Sequence, residues 1–249
     1  MQSHLNITAA AMLWLGAALA NAGLASAGDV IPLKEAKLNI EYNATDDDTG
    51  FQGFIDSEGR RSLVISGPGG EVLRFEGLGK LASHGLTELF FETVEPAGAD
   101  MPIEAVLAVL PEGEYAISGE AIEAGVVGGA TSGVAWLTHD IPAGPVLTSP
   151  AEDAVVPVGD LVASWSEVTM TITGEPVEII AYQLIIEKDG EPHPEMIGNF
   201  GLSMYLPASV FEIRVPAGFL EPATSYAWEV LAIEVSGNQT LSSSAFRTE

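Results

Sequence analysis

The sequence contains no cysteine and little positive charge. The absence of cysteine excludes disulfides, thiolate zinc sites, iron–sulfur clusters and cysteine nucleophiles. Lys and Arg together number 9 against 35 Asp and Glu, which gives a formal net charge of −26 at pH 7. A surface this acidic repels phosphate backbones and anionic lipid headgroups, so we expect no binding to nucleic acid.

The common catalytic motifs are also missing. The chain has no Gly-x-Ser-x-Gly elbow, Walker A loop or dinucleotide fingerprint. His84, His139 and His193 lie far apart and do not form a zinc-binding pattern. Two carboxylates suffice for glycoside hydrolysis, but no particular pair stands out among 35 acidic residues. We therefore predict that the protein is not an enzyme.

The N-terminus is typical of an export signal. Residues 7–20 form an apolar run that is short for a membrane span, and Ala25-Ser26-Ala27 matches the small-x-small cleavage pattern. We predict a signal peptide over residues 1–27. No second long apolar run follows, so we expect no membrane span after cleavage and a secreted or periplasmic location. The cysteine-free composition favours a bacterial source.

The remaining chain is typical of all-β structure. Its 27 Gly and 15 Pro punctuate short apolar runs, which favours many strands joined by turns. In the first half we predict strands over 36–43, 51–56, 61–66, 71–76, 87–94, 114–121 and 131–139, and one helix over 102–109. Two prolines in residues 140–145 indicate a short linker. We therefore predict two tandem β-sandwiches, residues 28–142 of unknown family and residues 143–249.

The C-terminal half carries a series of landmarks in a fixed order. A strand ends at Trp165, Tyr182 follows in the next strand, and a Leu-x-Pro-x-Thr-x-Tyr pattern is formed by Leu220, Pro222, Thr224 and Tyr226. This last pattern predicts a tyrosine corner followed by a strand whose inward positions include Trp228. On these residues, 145–249 resembles a fibronectin type III domain. The resemblance implies an immunoglobulin-like sandwich that serves as a spacer or recognition module without catalysis.

One outward face of this half is a candidate partner surface. If Tyr182 and its alternate neighbours point inward, the intervening residues point outward. The outward set contains several apolar side chains, so we predict an exposed partner-binding patch at Gln183, Ile185, Leu231 and Ile233. The alternative is that these residues pack against the first domain.

The densest charge cluster suggests a calcium site. Asp46, Asp47 and Asp48 are consecutive, and Asp56 returns at the next expected turn. Calcium requires several converging oxygen ligands, so Asp46, Asp48 and Asp56 are the candidate ligands of Ca²⁺. The spacing does not match an EF-hand, and the alternative is a solvated acidic turn.

Together these features predict an exported, non-catalytic binding or spacer protein with calcium as its candidate cofactor. The expected partner is an extracellular or periplasmic protein or glycan. The alternative function is a carbohydrate-binding or catalytic accessory of a polysaccharide-degrading system. Exposed aromatic residues would favour that alternative, and the candidates are Tyr42, Phe51, Phe54 and Trp136. The alternation of the sequence places Tyr42 and Trp136 inward.

Overall fold

The computed structural model describes residues 30–123 and 125–249, so the predicted signal peptide lies outside the described residues. In this part of the chain no helix is long and apolar enough to cross a membrane. The first half contains β1 (Val30–Pro32), β2 (Glu35–Asn43), β3 (Asp48–Arg60), β4 (Ser62–Gly67), β5 (Gly70–Glu76), α1 (Leu81–His84), β6 (Leu86–Glu92), α2 (Ile103–Leu107), β7 (Gly113–Glu123) and β8 (Val126–Leu137). The second half contains β9 (Leu147–Ser149), β10 (Ala154–Val156), β11 (Val162–Trp165), β12 (Ile179–Lys188), β13 (Gly201–Pro207), β14 (Glu212–Arg214), β15 (Ser225–Glu234) and β16 (Gln239–Thr248).

The all-β prediction is confirmed. Each strand predicted in the first half has a counterpart among β2 to β8, and the predicted helix is the short α2. The sequence analysis missed α1, a single turn without buried residues. A turn of this length has no apolar face, so it leaves no periodic signal in the sequence.

The first half encloses its own core. Two groups of strands face each other, β2, β3 and β6 on one side and β1, β8, β7, β4 and β5 on the other. The alternation in β2 buries Leu38 and Ile40 against Tyr115, Ile117 and Leu137 from β7 and β8. Helix α2 adds Val106 to the same core. The long strand β3 continues from one group to the other, where Arg60 pairs with Ala121 of β7.

The second half is a β-sandwich that contains the landmarks predicted from its sequence. One sheet orders its strands β14-β11-β9, and the facing sheet orders β13, β12, β15 and β16. Between them lies the predicted aromatic core, in which Trp165, Tyr182 and Trp228 are buried. The tyrosine corner is present, because the backbone N–H of Glu221 donates to the Tyr226 hydroxyl at 2.8 Å.

The two halves share a sheet. Strand β16 of the second half pairs in parallel with β2 of the first, which makes one 13-stranded sheet across both halves. Asn238 lies at this junction: its Oδ1 accepts the backbone N–H of Ile40 at 2.9 Å, and its amide donates to the Thr138 carbonyl at 3.1 Å. The Thr240 hydroxyl donates to the Pro142 carbonyl inside the predicted linker at 2.6 Å. The predicted linker therefore packs against the second half through hydrogen bonds.

The two cores remain separate although the sheet is continuous. Ile141 belongs to the first core, and Ala143 packs against the second. The chain therefore passes from one core to the other between residues 141 and 143.

Candidate functional site

A row of carboxylates and amides follows the shared sheet on the side away from both cores. In β2 the core takes Leu38 and Ile40, so Glu41 points outward. In the pairing of β2 with β16, Glu41 lies opposite Gln239. In the pairing of β3 with β6, Gln52 lies opposite Glu92. Further along the same side, β15 contributes Glu229. We call this surface the acidic face, and it consists of Glu41, Gln52, Glu92, Glu95, Glu229 and Gln239.

Three of these carboxylates converge. One ligand oxygen from each of Glu41, Glu92 and Glu95 can be chosen so that all three lie within 4.8 Å of one another. They come from β2, from the end of β6 and from the loop after β6. Gly50 permits the approach of Glu95, because a Cβ at position 50 would lie 2.7 Å from the Glu95 Cγ. The side chains of Glu92 and Glu95 are exposed, so solvent and ions can reach the cluster.

Two amides connect this cluster to the second half. The Gln239 amide donates to the Glu41 carboxylate and, at 3.1 Å, to the Gln52 Oε1. The Gln52 amide in turn donates to Glu92 at 3.0 Å. Burial raises the pKa of Glu41 to about 7, although the hydrogen bond from Gln239 opposes the rise. The negative charge of Glu92 raises this pKa further.

Glu229 is the most buried carboxylate of the acidic face. Its side chain is 7% exposed, between Ile185 of β12 and Ser243 of β16 in the ladder. Among the described residues it has neither a hydrogen bond nor an ion pair. Burial raises its pKa to about 8, and the charges of Glu41, Glu187 and Asp46 add to the rise. Glu229 therefore lies within electrostatic range of Glu41, Glu187 and Asp46.

The structure separates the aspartates that the sequence grouped as calcium ligands. Asp46 lies in the turn between β2 and β3, where its Oδ2 accepts the Asn43 amide at 3.1 Å. Asp48 begins β3 and lies close enough to Glu41 for its charge to raise the pKa of that group. Asp56 follows eight positions later in the same strand, roughly 26 Å away at the rise of an extended strand. Asp56 therefore cannot share an ion with Asp46 or Asp48.

The predicted apolar patch is buried, which corrects the expectation that it is exposed. Gln183 is 8% exposed, Ile185 8% and Leu231 4%, and only Ile233 is partly accessible. Ile185 and Leu231 pack with Leu241 of β16 into a small third cluster, while the Gln183 amide donates to the Ser203 hydroxyl. The alternation identified the correct face, but side chains from neighbouring strands fill it.

The aromatic candidates also differ from expectation. Trp136 is 61% exposed rather than inward, because β8 turns Ala135 and Leu137 toward the core. Tyr42 is partly buried against the first core as expected, and Phe51 is fully within it. The sequence pattern of β8 contains apolar residues on both faces, so it could not reveal which side is inward.

Comparisons with known proteins concern the fold. No family model and no curated protein matches the chain. Similar solved structures include the FN1–FN3 domains of chicken CNTN1, with 12% identity and a TM-score of 0.33, covering 90% of this chain and 66% of that one. Another is a segment of two fibronectin type III domains from chicken tenascin, with 13% identity and a TM-score of 0.30, covering 87% of this chain and 99% of that one. The chain therefore spans slightly less than two thirds of the first structure.

Proposed function

We propose that this protein is an exported, non-catalytic binding protein or spacer that recognises a protein or glycan outside the cytoplasm, with calcium as its cofactor. The observation that carries the proposal is the junction between the halves. Two β-sandwich cores connected by a continuous sheet hold their outer surfaces at a fixed separation, as a spacer requires. Flexible linkers allow independent motion, whereas each paired backbone group at this junction restricts it.

The junction supports this role through several independent contacts. Three ladder positions join β16 to β2, and the Ala44 backbone N–H donates to the Leu241 carbonyl at 2.9 Å just beyond them. At the same end of the pairing, the Ser243 backbone N–H donates to the Thr45 hydroxyl at 2.9 Å. At the other end, Asn238 binds both Ile40 and Thr138. Bending between the halves would break these bonds together.

The non-catalytic part of the proposal is supported by the sequence, which lacks the common nucleophile and phosphate-binding motifs.

Small-angle X-ray scattering of residues 28–249 tests the spacer function. We expect a profile that fits one fixed arrangement of the halves, and a larger radius of gyration with a more flexible profile for Asn238→Ala. A matched control is Asn199→Ala, whose amide donates to the Gly190 carbonyl far from the junction. A wild-type profile that requires independently moving halves would refute the proposal.

A reporter fusion tests export. Residues 1–27 are placed before an alkaline phosphatase that lacks its own signal and is active only outside the cytoplasm. We expect activity from this fusion and its loss when Leu13 and Leu15 in the apolar run are both changed to Arg. Equal activity with and without the intact run would contradict the export proposal.

The exposed Trp136 favours the second candidate function, a carbohydrate-binding accessory. On the outer side of the same sheet Trp136 lies opposite the exposed Glu114, and the next pair along the ladder is Val134, also exposed, with Ala116. An exposed indole on a flat sheet can stack on a sugar ring. Affinity electrophoresis in gels that contain soluble plant or bacterial polysaccharides tests this function. Retardation of the wild type that disappears in Trp136→Ala but persists in Val134→Ala would support it, and unchanged migration in every gel would refute it.

A further inference from the structure

We propose that the junction between the halves is sensitive to pH: it stays closed while Glu41, Glu92 and Glu95 retain a proton among them, and it loosens when all three are ionised. The inference rests on the proposed function, because it concerns the regulation of the same spacer junction. It follows from where these carboxylates lie relative to the pairing of β16 with β2.

The three carboxylates are too close together to be ionised without cost. Their oxygens approach within 4.8 Å of one another, and like charges at this distance favour retention of a proton. In the described part of the chain, every ion pair of a lysine or arginine uses another acidic group. The pKa values agree with this geometry. Burial and the charge of Glu92 raise the pKa of Glu41 to about 7, and burial and the charge of Glu41 raise that of Glu95 to about 8.

The repulsion within the cluster is directed at the junction. Strand β2 lies between β3 and β16, so Glu41 has Gly50 of β3 on one side and Gln239 of β16 on the other. Glu95 approaches over Gly50, on the β3 side. Glu92 belongs to β6, which pairs with β3 and lies on that side too. When the Glu41 side chain moves away from the other two carboxylates, it therefore moves toward β16.

The contact on the β16 side is short enough to respond. Strands β16 and β2 pair over three positions, of which Gln239 opposite Glu41 is the first. The Gln239 amide donates to Glu41 and, at 3.1 Å, to the Gln52 Oε1. If Glu41 is displaced, it exchanges its bond from Gln239 for water, and hydration favours the ionised carboxylate. Ionisation of the cluster and opening of the junction therefore promote each other.

The other titratable groups around Glu41 do not oppose this effect. Those within electrostatic range are Asp48 of β3, Glu229 of β15 and Tyr205 of β13. The two carboxylates favour retention of a proton at Glu41, and the phenol is uncharged near neutral pH. The single basic residue of β2, Lys37, pairs with Glu35 at 3.4 Å.

The pH range follows from the proton that is released on opening. The pKa of Glu41 is about 7 in the closed junction, against 4.5 for an unperturbed glutamate. Between these values the open form binds fewer protons than the closed form, so a rise in pH favours opening. For one released proton, the ratio of open to closed forms rises by up to about tenfold per pH unit. Well above pH 7 both forms are ionised, and the ratio becomes constant.

Hydrogen exchange of residues 28–249, followed by NMR from pH 5 to 8, measures this opening. The backbone N–H groups of Ala44 and Ser243 each donate a hydrogen bond across the junction. Protection factors remove the intrinsic effect of pH on exchange, and at these two groups they should fall by up to about tenfold per pH unit between pH 5 and 7. The reference is the Trp165 N–H, which donates to the Phe211 carbonyl inside the second half and should exchange more slowly at every pH.

Three variants identify the groups that titrate. Glu41→Gln does not ionise but keeps an oxygen that can accept from Gln239, so it should reduce the fall in protection to about twofold or less per pH unit. Glu95→Gln removes an exposed charge from the cluster and should shift the fall to lower pH. Glu88→Gln is the control, because it removes an exposed carboxylate of β6 outside the cluster and should behave like the wild type. Circular dichroism checks that each variant is folded.

The inference is overturned if the protection of Ala44 and Ser243 does not fall between pH 5 and 7, or if it equals that of Trp165. It is also overturned if Glu41→Gln keeps the pH dependence of the wild type. These results would leave the scattering and export tests of the proposed function unaffected. Independent motion of the halves in scattering at pH 5, where the junction is closed, would instead refute the spacer function itself.

Discussion

The buried Glu229 makes a prediction about the pH dependence of stability. Its pKa in the folded protein is about 8, against 4.5 for an unperturbed glutamate. Below pH 4.5 the carboxyl is protonated in both states, and its full contribution to stability is present. As pH rises toward 8 the unfolded state loses the proton first, so the folded state is progressively destabilised. The difference between the two pKa values corresponds to a loss of up to about 5 kcal/mol in the free energy of unfolding at pH 9.

The variant Glu229→Gln removes this dependence because an amide resembles the protonated acid and does not titrate. At pH 4.5 its free energy of unfolding should lie within about 1 kcal/mol of the wild-type value, the net contribution of a typical hydrogen bond. By pH 9 the variant should be more stable than the wild type by about 3–5 kcal/mol. The difference should grow steadily between these limits.

Urea denaturation with excess EDTA, followed by tryptophan fluorescence from pH 4.5 to 9, measures this difference. Ser243→Ala changes a ladder neighbour of Glu229 without removing a charge, so its effect should be nearly independent of pH. A constant difference between Glu229→Gln and the wild type would refute the reasoning. So would a variant that is less stable than the wild type at pH 9.

Three further predictions concern the fold. Asn238→Ala should lower the free energy of unfolding by about 2–4 kcal/mol in urea titrations, because it leaves the Ile40 N–H without its partner at the junction; Asn199→Ala, which removes an exposed amide far from the junction, should cost less. Tyr226→Phe should cost about 1–2 kcal/mol in the same assay, since it removes the acceptor at the tyrosine corner, and an unchanged midpoint would contradict that role. Gly119→Ala should lower the thermal midpoint strongly, because its Cβ would lie 1.9 Å from the Ser62 carbonyl oxygen. The control Gly128→Ala, on the neighbouring strand β8, should leave the midpoint nearly unchanged because its Cβ would have no atom within 4 Å.

The fold could be predicted because its signals are local. Alternation in β2 identifies the inward residues Leu38 and Ile40, and the Leu-x-Pro-x-Thr-x-Tyr pattern locates the corner at Tyr226. Each of these features depends on residues a few positions apart, where periodicity and turn chemistry are informative.

The acidic face could not be predicted because its members are distant in sequence. Glu41 meets Gln239 only after β16 pairs with β2, a contact between residues 198 positions apart. Glu92 and Glu95 read as ordinary charges near the end of a strand. The sequence analysis selected the aspartate run instead. Charges that are consecutive in the sequence are visible there, whereas charges that meet only in the folded structure are not. Asp48 is the member of that run that lies beside the cluster.

The acidic face concentrates negative charge beside the junction between the halves. A chain with 35 acidic residues can lower its repulsion by spreading them over the surface, yet several converge where the halves share their sheet. That repulsion acts on β2, the strand that carries the junction, beside the contact of Glu41 with Gln239.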